Sequence, residues 1–254
     1  MISISRRKYI LDYLYKNGTV TRSELVKKLG VTAMTVGRDL KRMEEQGLLV
    51  RTHGGAVLPN YLVEETLYDK KKTQNIDIKK RIAKAALQYV HSGMTLLLDA
   101  GTTTFEIADM LKKSDWDNLT VITGDLQIGL HLYQHKGIQV FMLGGEVLTE
   151  TGAVSGSIAI QQLERYAVDL SFVGTAAVTE EFYIVVPTES KAVFKEKIIA
   201  VSERAILVAD QTKFHRKKMY KAARLEDLDF IITDYPFTAK EAAVSGLEGK
   251  IIKA

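Results

Sequence analysis

Apolar positions recur with two different spacings along the chain. At the start, Ile10, Leu11 and Leu14 sit one helical turn apart within Ile4 to Tyr15, and the pattern stops at Asn17-Gly18, which predicts a first helix. Thr21-Arg22-Ser23-Glu24 then has the form of a capping box, in which Thr21 and Glu24 satisfy each other's free amides at the head of a short helix carrying Leu25, Val26 and Leu29. Gly30 ends that helix, Val31 fills the turn, and Thr32 is placed to cap a third. Val36, Leu40 and Met43 form its apolar stripe at intervals of four and three. Helix, short turn, helix predicts a helix-turn-helix.

Beyond residue 76 the spacing changes. A helical segment from Asp77 to Val90 is followed by short apolar runs that read as buried strands: residues 94–99, 119–123, 138–143, 169–174, 205–210 and 229–234. Helix-length segments separate most of them. Alternating strands and helices predict a larger, mostly parallel α/β domain, whose ligand sits beyond the carboxyl ends of the strands. Between the halves, residues 58–76 are polar, with Lys70-Lys71-Lys72, and read as a connector whose lysines face solvent or reach toward DNA. The domain expectation is therefore 1–57, a linker 58–76, and 77–254.

Charge sharpens the division. Residues 1–57 carry 11 Lys+Arg against 5 Asp+Glu, whereas the remainder carries 24 against 26, so the surplus of a chain at +4 lies in the first domain. That asymmetry suits a module for a polyanion on a near-neutral body. If the stripe of the third helix faces inward, Met34, Arg38 and Lys41 point out, and Thr35, Gly37 and Arg42 lie on the flanks. A hydroxyl-capped helix with outward basic residues fits a DNA groove, its first turn at base edges and its cations at phosphates. Leu48 to Arg51 and the turn Thr52-His53-Gly54-Gly55-Ala56 suggest a β-wing, with Arg51 and His53 near the backbone or minor groove. An ordinary small bundle with a wet basic face is the alternative.

In the second half, Gly101-Thr102-Thr103-Thr104 follows a strand and opens a helix expected near Phe105. Free amides, a positive dipole end and hydroxyls there suit a phosphate; a plain hydroxyl-capped turn would look alike. Lys213, after Ala209-Asp210, adds positive charge at the same rim or is simply exposed. His131 and His135 have metal-pair spacing without a third ligand, so no metal is expected, and no cofactor motif or Walker loop occurs. No apolar run is long enough for a membrane span, no signal peptide is evident, and the absence of cysteine excludes disulfides and thiol chemistry, which together point to the cytoplasm.

The run VTAMTVGRDLKRMEEQGLLVRTHGGA resembles the N-terminal signature of the DeoR family of bacterial transcriptional regulators, with Thr32 in place of the usual serine and Gly37 in place of the first arginine of its RRD triplet. LLLDAGTTT, LGGEVLTETGAVSG, VDLSFVGTAAV, VFKEKII and AILVADQTKF are similar to blocks of that family's C-terminal sensor domain. The resemblance implies a winged helix-turn-helix followed by a sensor domain resembling sugar-phosphate isomerases. It also implies double-stranded operator DNA and a phosphorylated sugar as partners, and repression of a carbohydrate-utilisation operon. By the same resemblance Gly101 to Thr104 hold the effector phosphate, with Asp99, Thr123, Gly144, Gly145, Lys195 and Lys213 around it. Three departures leave the effector open: Gly124-Asp125 stand where the family has Asn and Ser, VGTAAV lacks a glycine near its end, and His215 replaces a glycine. Paired recognition helices would match repeated half-sites, so a homo-oligomer, dimer or tetramer, is expected. The rival is a sugar-phosphate isomerase or deaminase with a basic N-terminal appendage, using Asp99, Glu189 and Lys213 as acid–base groups.

Overall fold

The computed structural model describes residues 3–59, 63 and 65–254; four residues of the expected connector, Asn60, Tyr61, Leu62 and Glu64, lie outside them. The N-terminal domain runs α1 (Ser3–Asn17), β1 (Thr19–Thr21), α2 (Arg22–Leu29), α3 (Ala33–Glu45), β2 (Val50–Arg51) and β3 (Gly55–Val57). The Thr21–Glu24 capping box is present, and the Thr32 side chain caps α3 by accepting from the Thr35 amide at 3.3 Å. Ile10, Leu14, Leu25, Val36, Leu40 and Met43 close one small core. Arg6 pins α1 to α3 through the buried Asp39 at 2.7 Å, a pairing that apolar periodicity does not register.

The wing holds one element the sequence pattern missed. Thr21, expected only as a cap, also ends the strand β1, and β3 lies between β1 and β2 in an antiparallel sheet. Gly54-Gly55-Ala56, expected as turn, turns at Gly54 and enters β3 at Gly55. A Cβ at Gly55 would lie 1.8 Å from the Val20 carbonyl, so only glycine lets the two strands meet there.

The connector carries α4 (Tyr68–Lys72), and the second domain follows with α5 (Ile76–Ala86), β4 (Thr95–Leu98), α6 (Thr102–Lys112), β5 (Leu119–Thr123), α7 (Leu126–Leu132) and β6 (Ile138–Met142). It continues through β7 (Glu146–Val147), β8 (Val154–Ser155), α8 (Ser157–Leu163), β9 (Val168–Val173), β10 (Ala177–Val178), β11 (Tyr183–Val186) and α9 (Glu189–Ala200). The last elements are β12 (Ser202–Val208), β13 (Tyr220–Arg224), β14 (Phe230–Thr233), α10 (Ala239–Val244) and β15 (Ile251–Lys253). Seven strands form a parallel sheet in the order β15-β14-β12-β9-β4-β5-β6. Leu96 and Leu98 face a core built with α5, α6 and α7, and Leu97 faces one built with α8 and α9. The alternation of β4 between two apolar faces is why its run looks continuous in sequence. From β4 the chain proceeds outward to β5 and β6, then returns to the other side at β9, so the sheet's switch point lies between β4 and β9.

The Arg216 guanidinium of the second domain donates to the Thr19 hydroxyl on β1 of the first. Beside it, His215 takes φ +55°, the left-handed region that suits the glycine it replaces, and its ring is tied to the Tyr235 hydroxyl.

Candidate functional site

Two surfaces gather the residues singled out from sequence. On α3, Met34 is 74% exposed, and Arg38, Lys41 and Arg42 are exposed along the face opposite the buried stripe, as are Thr32 at its cap and His53 in the β2–β3 turn. Thr35 is half-buried, its hydroxyl 3.0 Å from that of Thr32. Arg51 is held by Glu44, its amide donating at 2.8 Å. Gly37 faces open space: a Cβ there would meet nothing within 4 Å. The α3 face is thus solvent-accessible, basic and interrupted by one small residue.

The second surface is a cavity at the switch point of the sheet. Asp99 follows β4, and Gly174 follows β9. The buried Asp99 carboxylate accepts from the Gly174 amide at 2.9 Å and from the Lys195 ammonium, which also donates to the Gly174 carbonyl at 2.7 Å. This lattice clamps the two central strand ends together, so Asp99 and Lys195 hold the cavity floor rather than standing free. From that floor rises α6, which begins at Thr102, three residues earlier than the sequence suggested, because Gly101 takes the extended cap position. The first intrahelical bond is Phe105 to Gly101 at 2.9 Å, which leaves the amides of Thr102, Thr103 and Thr104 at the positive end of the helix dipole. The Gly101 amide is already donated to Asp125 at 3.1 Å, and the Thr104 hydroxyl returns to the Gly101 carbonyl at 2.8 Å.

Asp125 therefore lies beneath the cradle. Its other oxygen caps α7 through the Gln127 and Ile128 amides, at 2.8 and 3.2 Å. Burial pushes its carboxyl up to about 6, against the pull of those amides. The family's serine could cap α7, but it would place no buried acid under Gly101.

Lysines dominate the cavity's charge. Lys71, Lys191, Lys195 and Lys213 line it together with two carboxylates, Glu65 and Asp99. Glu65, from the connector, is bridged by Lys71 through one oxygen and by Lys191 through the other. Burial alone would raise its carboxyl, but the two ammonium groups outweigh that and hold it down to about 2. Lys213 lines the cavity, and no hydrogen bond or ion pair of its ammonium is found among the described residues; burial lowers its pKa. Lys79, buried behind this wall, donates to the Lys71 carbonyl at 2.5 Å, and burial lowers its pKa to about 8.

The structure brings together Asp99, Gly101, Thr102, Thr103, Thr104, Lys195 and Lys213 around this cavity, and leaves three sequence candidates off its wall. Thr123 is buried with its hydroxyl donated to Leu98 at 2.8 Å. The Gly144 amide donates to Gln162 at 2.7 Å, and Gly145 folds the next turn against the Ser155 carbonyl. Tight backbone packing accounts for Gly145, and Gly144 is tied to the Gln162 side chain; neither borders the cavity. Glu65, Tyr68, Lys71, Thr175, Ser190 and Lys191, which line the cavity, were not singled out from sequence. The lysine run at 70–72, expected to face solvent or reach toward DNA, is the one sequence signal for this wall; Lys71 turns inward while Lys72 lies over the Phe105 ring at 5.3 Å. Glu189 is exposed and off the wall, so the acid–base set of the enzymatic rival does not assemble. His131 bonds Asp109 at 3.2 Å, and no cluster of three or more metal-ligating side chains occurs among the described residues. No helix among them is long and apolar enough to cross a membrane.

Comparison with known proteins follows this division of the chain. Residues 6–61 match the DeoR-like helix-turn-helix domain, and residues 74–235 match the DeoR C terminal sensor domain. The chain is 32% identical to the HTH-type transcriptional repressor GlcR of Bacillus subtilis (strain 168), over 89% of this chain and 86% of that protein. It is 29% identical to the glycerol-3-phosphate regulon repressor of Escherichia coli (strain K12), over 93% and 92%. Among solved structures it is similar to ribose 5-phosphate isomerase from Plasmodium falciparum, at 20% identity and a TM-score of 0.38, covering 54% of this chain and 52% of that one. The full-length relatives are named as regulators and repressors. With both of its domains matched, the chain belongs to the DeoR family, as a DNA-binding transcriptional regulator and not an enzyme.

Proposed function

We propose that this regulator represses a carbohydrate-utilisation operon, and that a phosphorylated sugar bound in the central cavity weakens its hold on double-stranded operator DNA. The observation that carries the effector reading is the cavity at the switch point. There the open amides of α6 meet four lysines balanced by two carboxylates, an excess of positive charge suited to a phosphomonoester dianion. The names of the relatives, one a glycerol-3-phosphate regulon repressor, agree with that class.

In this reading residues 1–57 form the DNA-binding domain, 58–76 the connector and 77–254 the sensor. On α3, Arg38, Lys41 and Arg42 neutralise phosphates, while Thr32, Met34, Thr35 and Gly37 lie at the base edges; Arg51 and His53 of the wing reach the backbone. Gly101 to Thr104 and Lys213 take the effector phosphate, with Asp99 and Lys195 holding the floor beneath it. Coupling runs through the connector, because Glu65 belongs to the segment leading to the DNA-binding domain and yet is bound to Lys191 of α9. The chain acts as a homo-oligomer. Leu126, Leu130 and Tyr133 form an exposed apolar stripe along α7 and its cap, beside the exposed Met142 of edge strand β6, which suits burial against another copy.

The test is a thermal-shift panel of triose, pentose and hexose phosphates, followed by gel shifts on DNA selected from a random library. One sugar phosphate is expected to raise the melting temperature, weaken DNA binding and remain unconsumed. A panel with no stabilising member, or a ligand that leaves DNA affinity unchanged, rejects the effector reading.

A further inference from the structure

Tyr68 is the first residue of the connector helix α4, and its amide donates to the Glu150 carbonyl at 2.9 Å, so its backbone is fixed over the sensor domain. Its side chain lines the cavity, and its Oη is buried without a hydrogen-bond partner among the described residues. A buried, unsatisfied hydroxyl is destabilising. Phenylalanine would furnish the same apolar wall without that cost, so packing does not explain the oxygen.

The neighbours locate it. α4 packs against α6, and the charges felt by the phenol are those of Asp125, which holds the Gly101 amide, Glu106 on the second turn of α6, and Asp69. The hydroxyl therefore stands by the first turns of α6, where the Thr102, Thr103 and Thr104 amides open. Burial and the surrounding carboxylates raise its pKa, which keeps the proton on the oxygen and makes the group a donor. Among the described residues it has no acceptor.

We propose that Tyr68 is a ligand-binding residue whose Oη donates a hydrogen bond to the phosphoryl group seated at the N-terminus of α6, so that the connector itself touches the effector. This rests on the reading of the cavity as a phosphate site and adds a third side to the cradle. Sensor residues form the floor and the helix end; the connector supplies the lid. A ligand held in part by Tyr68 bears on the segment that leads to the DNA-binding domain, with no need for a shift relayed through the parallel sheet.

The experiment compares full-length wild type and Tyr68→Phe by calorimetric titration with inorganic phosphate and by thermal unfolding without ligand. Phosphate affinity is expected to fall about tenfold in the variant, the scale of one hydrogen bond to a charged acceptor. The unliganded melting temperature should stay equal or rise, since the unsatisfied hydroxyl is gone. Equal phosphate affinity in both proteins overturns the role of Tyr68 and leaves the phosphate site standing. A fall in melting temperature with unchanged affinity overturns it too, assigning the residue to packing. Wild type that binds no phosphate overturns the cavity reading and this inference together.

Discussion

The two domains hold their lysines and arginines in opposite ways. On α3 the cations are exposed and repeat with the helix, each from the same short segment. In the sensor they converge from α4, α9 and the turn after β12, and three of the four are bonded to carboxylates. An exposed row can follow a long, regular polyanion and exchange its counterions with solvent. A converging set, partly shielded from water, can hold one small anion and respond to its presence. On the proposed reading, the difference separates a surface that reads DNA from a cavity that reports a metabolite.

The largest expected effect breaks the comparison on the DNA side. Arg38→Ala combined with Lys41→Ala should weaken operator binding at least about a hundredfold and flatten the plot of log affinity against log salt by about 1.8 per engaged subunit, at about 0.9 for each lost phosphate contact. Phosphate binding in the cavity should be unchanged. Gel shifts at several salt concentrations check the first part and calorimetry the second; wild-type DNA affinity would remove α3 from the interface.

A smaller effect lies at the latch between the connector and the cavity. The Glu65 carboxyl sits near 2 in the fold against an ordinary 4.5, so its contribution to stability is present above pH 4.5 and disappears as pH falls through about 2. Burial of Lys71 works the other way by disfavouring its ammonium, which reduces the net worth of the pair. Glu65→Gln should therefore cost about 1–2 kcal/mol at pH 7. The gap between variant and wild type should narrow between pH 4.5 and 2 in denaturant unfolding. A gap that does not change with pH would show that Glu65 acts by packing alone.

The smallest effect concerns the break in the basic row. Because a Cβ at Gly37 meets nothing, both alanine and arginine fit the unliganded helix. Gly37→Ala should add something under ~1 kcal/mol of stability with no change in salt dependence. Gly37→Arg should tighten DNA binding and steepen the salt slope by about 0.9 per engaged subunit. Weaker specific binding in both variants would mean instead that the glycine lets the helix backbone approach the groove.

Much of the fold was legible because its signals are local. The Thr21–Glu24 box, the Thr32 cap and the stripe of Val36, Leu40 and Met43 lie within a few turns of one another, and their physics is complete there. The apolar runs of the main sheet were legible for the same reason. By contrast, β10, β11 and β13 form their own small sheet and β15 the sheet edge; their pairing partners rather than their own patterns define them. Thr123 and Gly144 carried the right chemistry for a site but had already found partners in the fold. His215 shows the converse: the departure from glycine was visible, while the left-handed turn and the Tyr235 bond that accommodate it were not.

The sequence by itself determined the division into a basic helix-turn-helix and an α/β body, the outward face of α3, and the loop from Gly101 to Thr104, because each depends on residues close together in the chain. Only the tertiary structure decided which lysines share a cavity, that Asp125 caps α7 from below the cradle, and that Glu65 and Tyr68 of the connector belong to the sensor's wall. Electrostatic partnership depends on distance in space. Glu65 and Lys191 are separated by 126 positions in sequence, and the folding of the sheet brings them together.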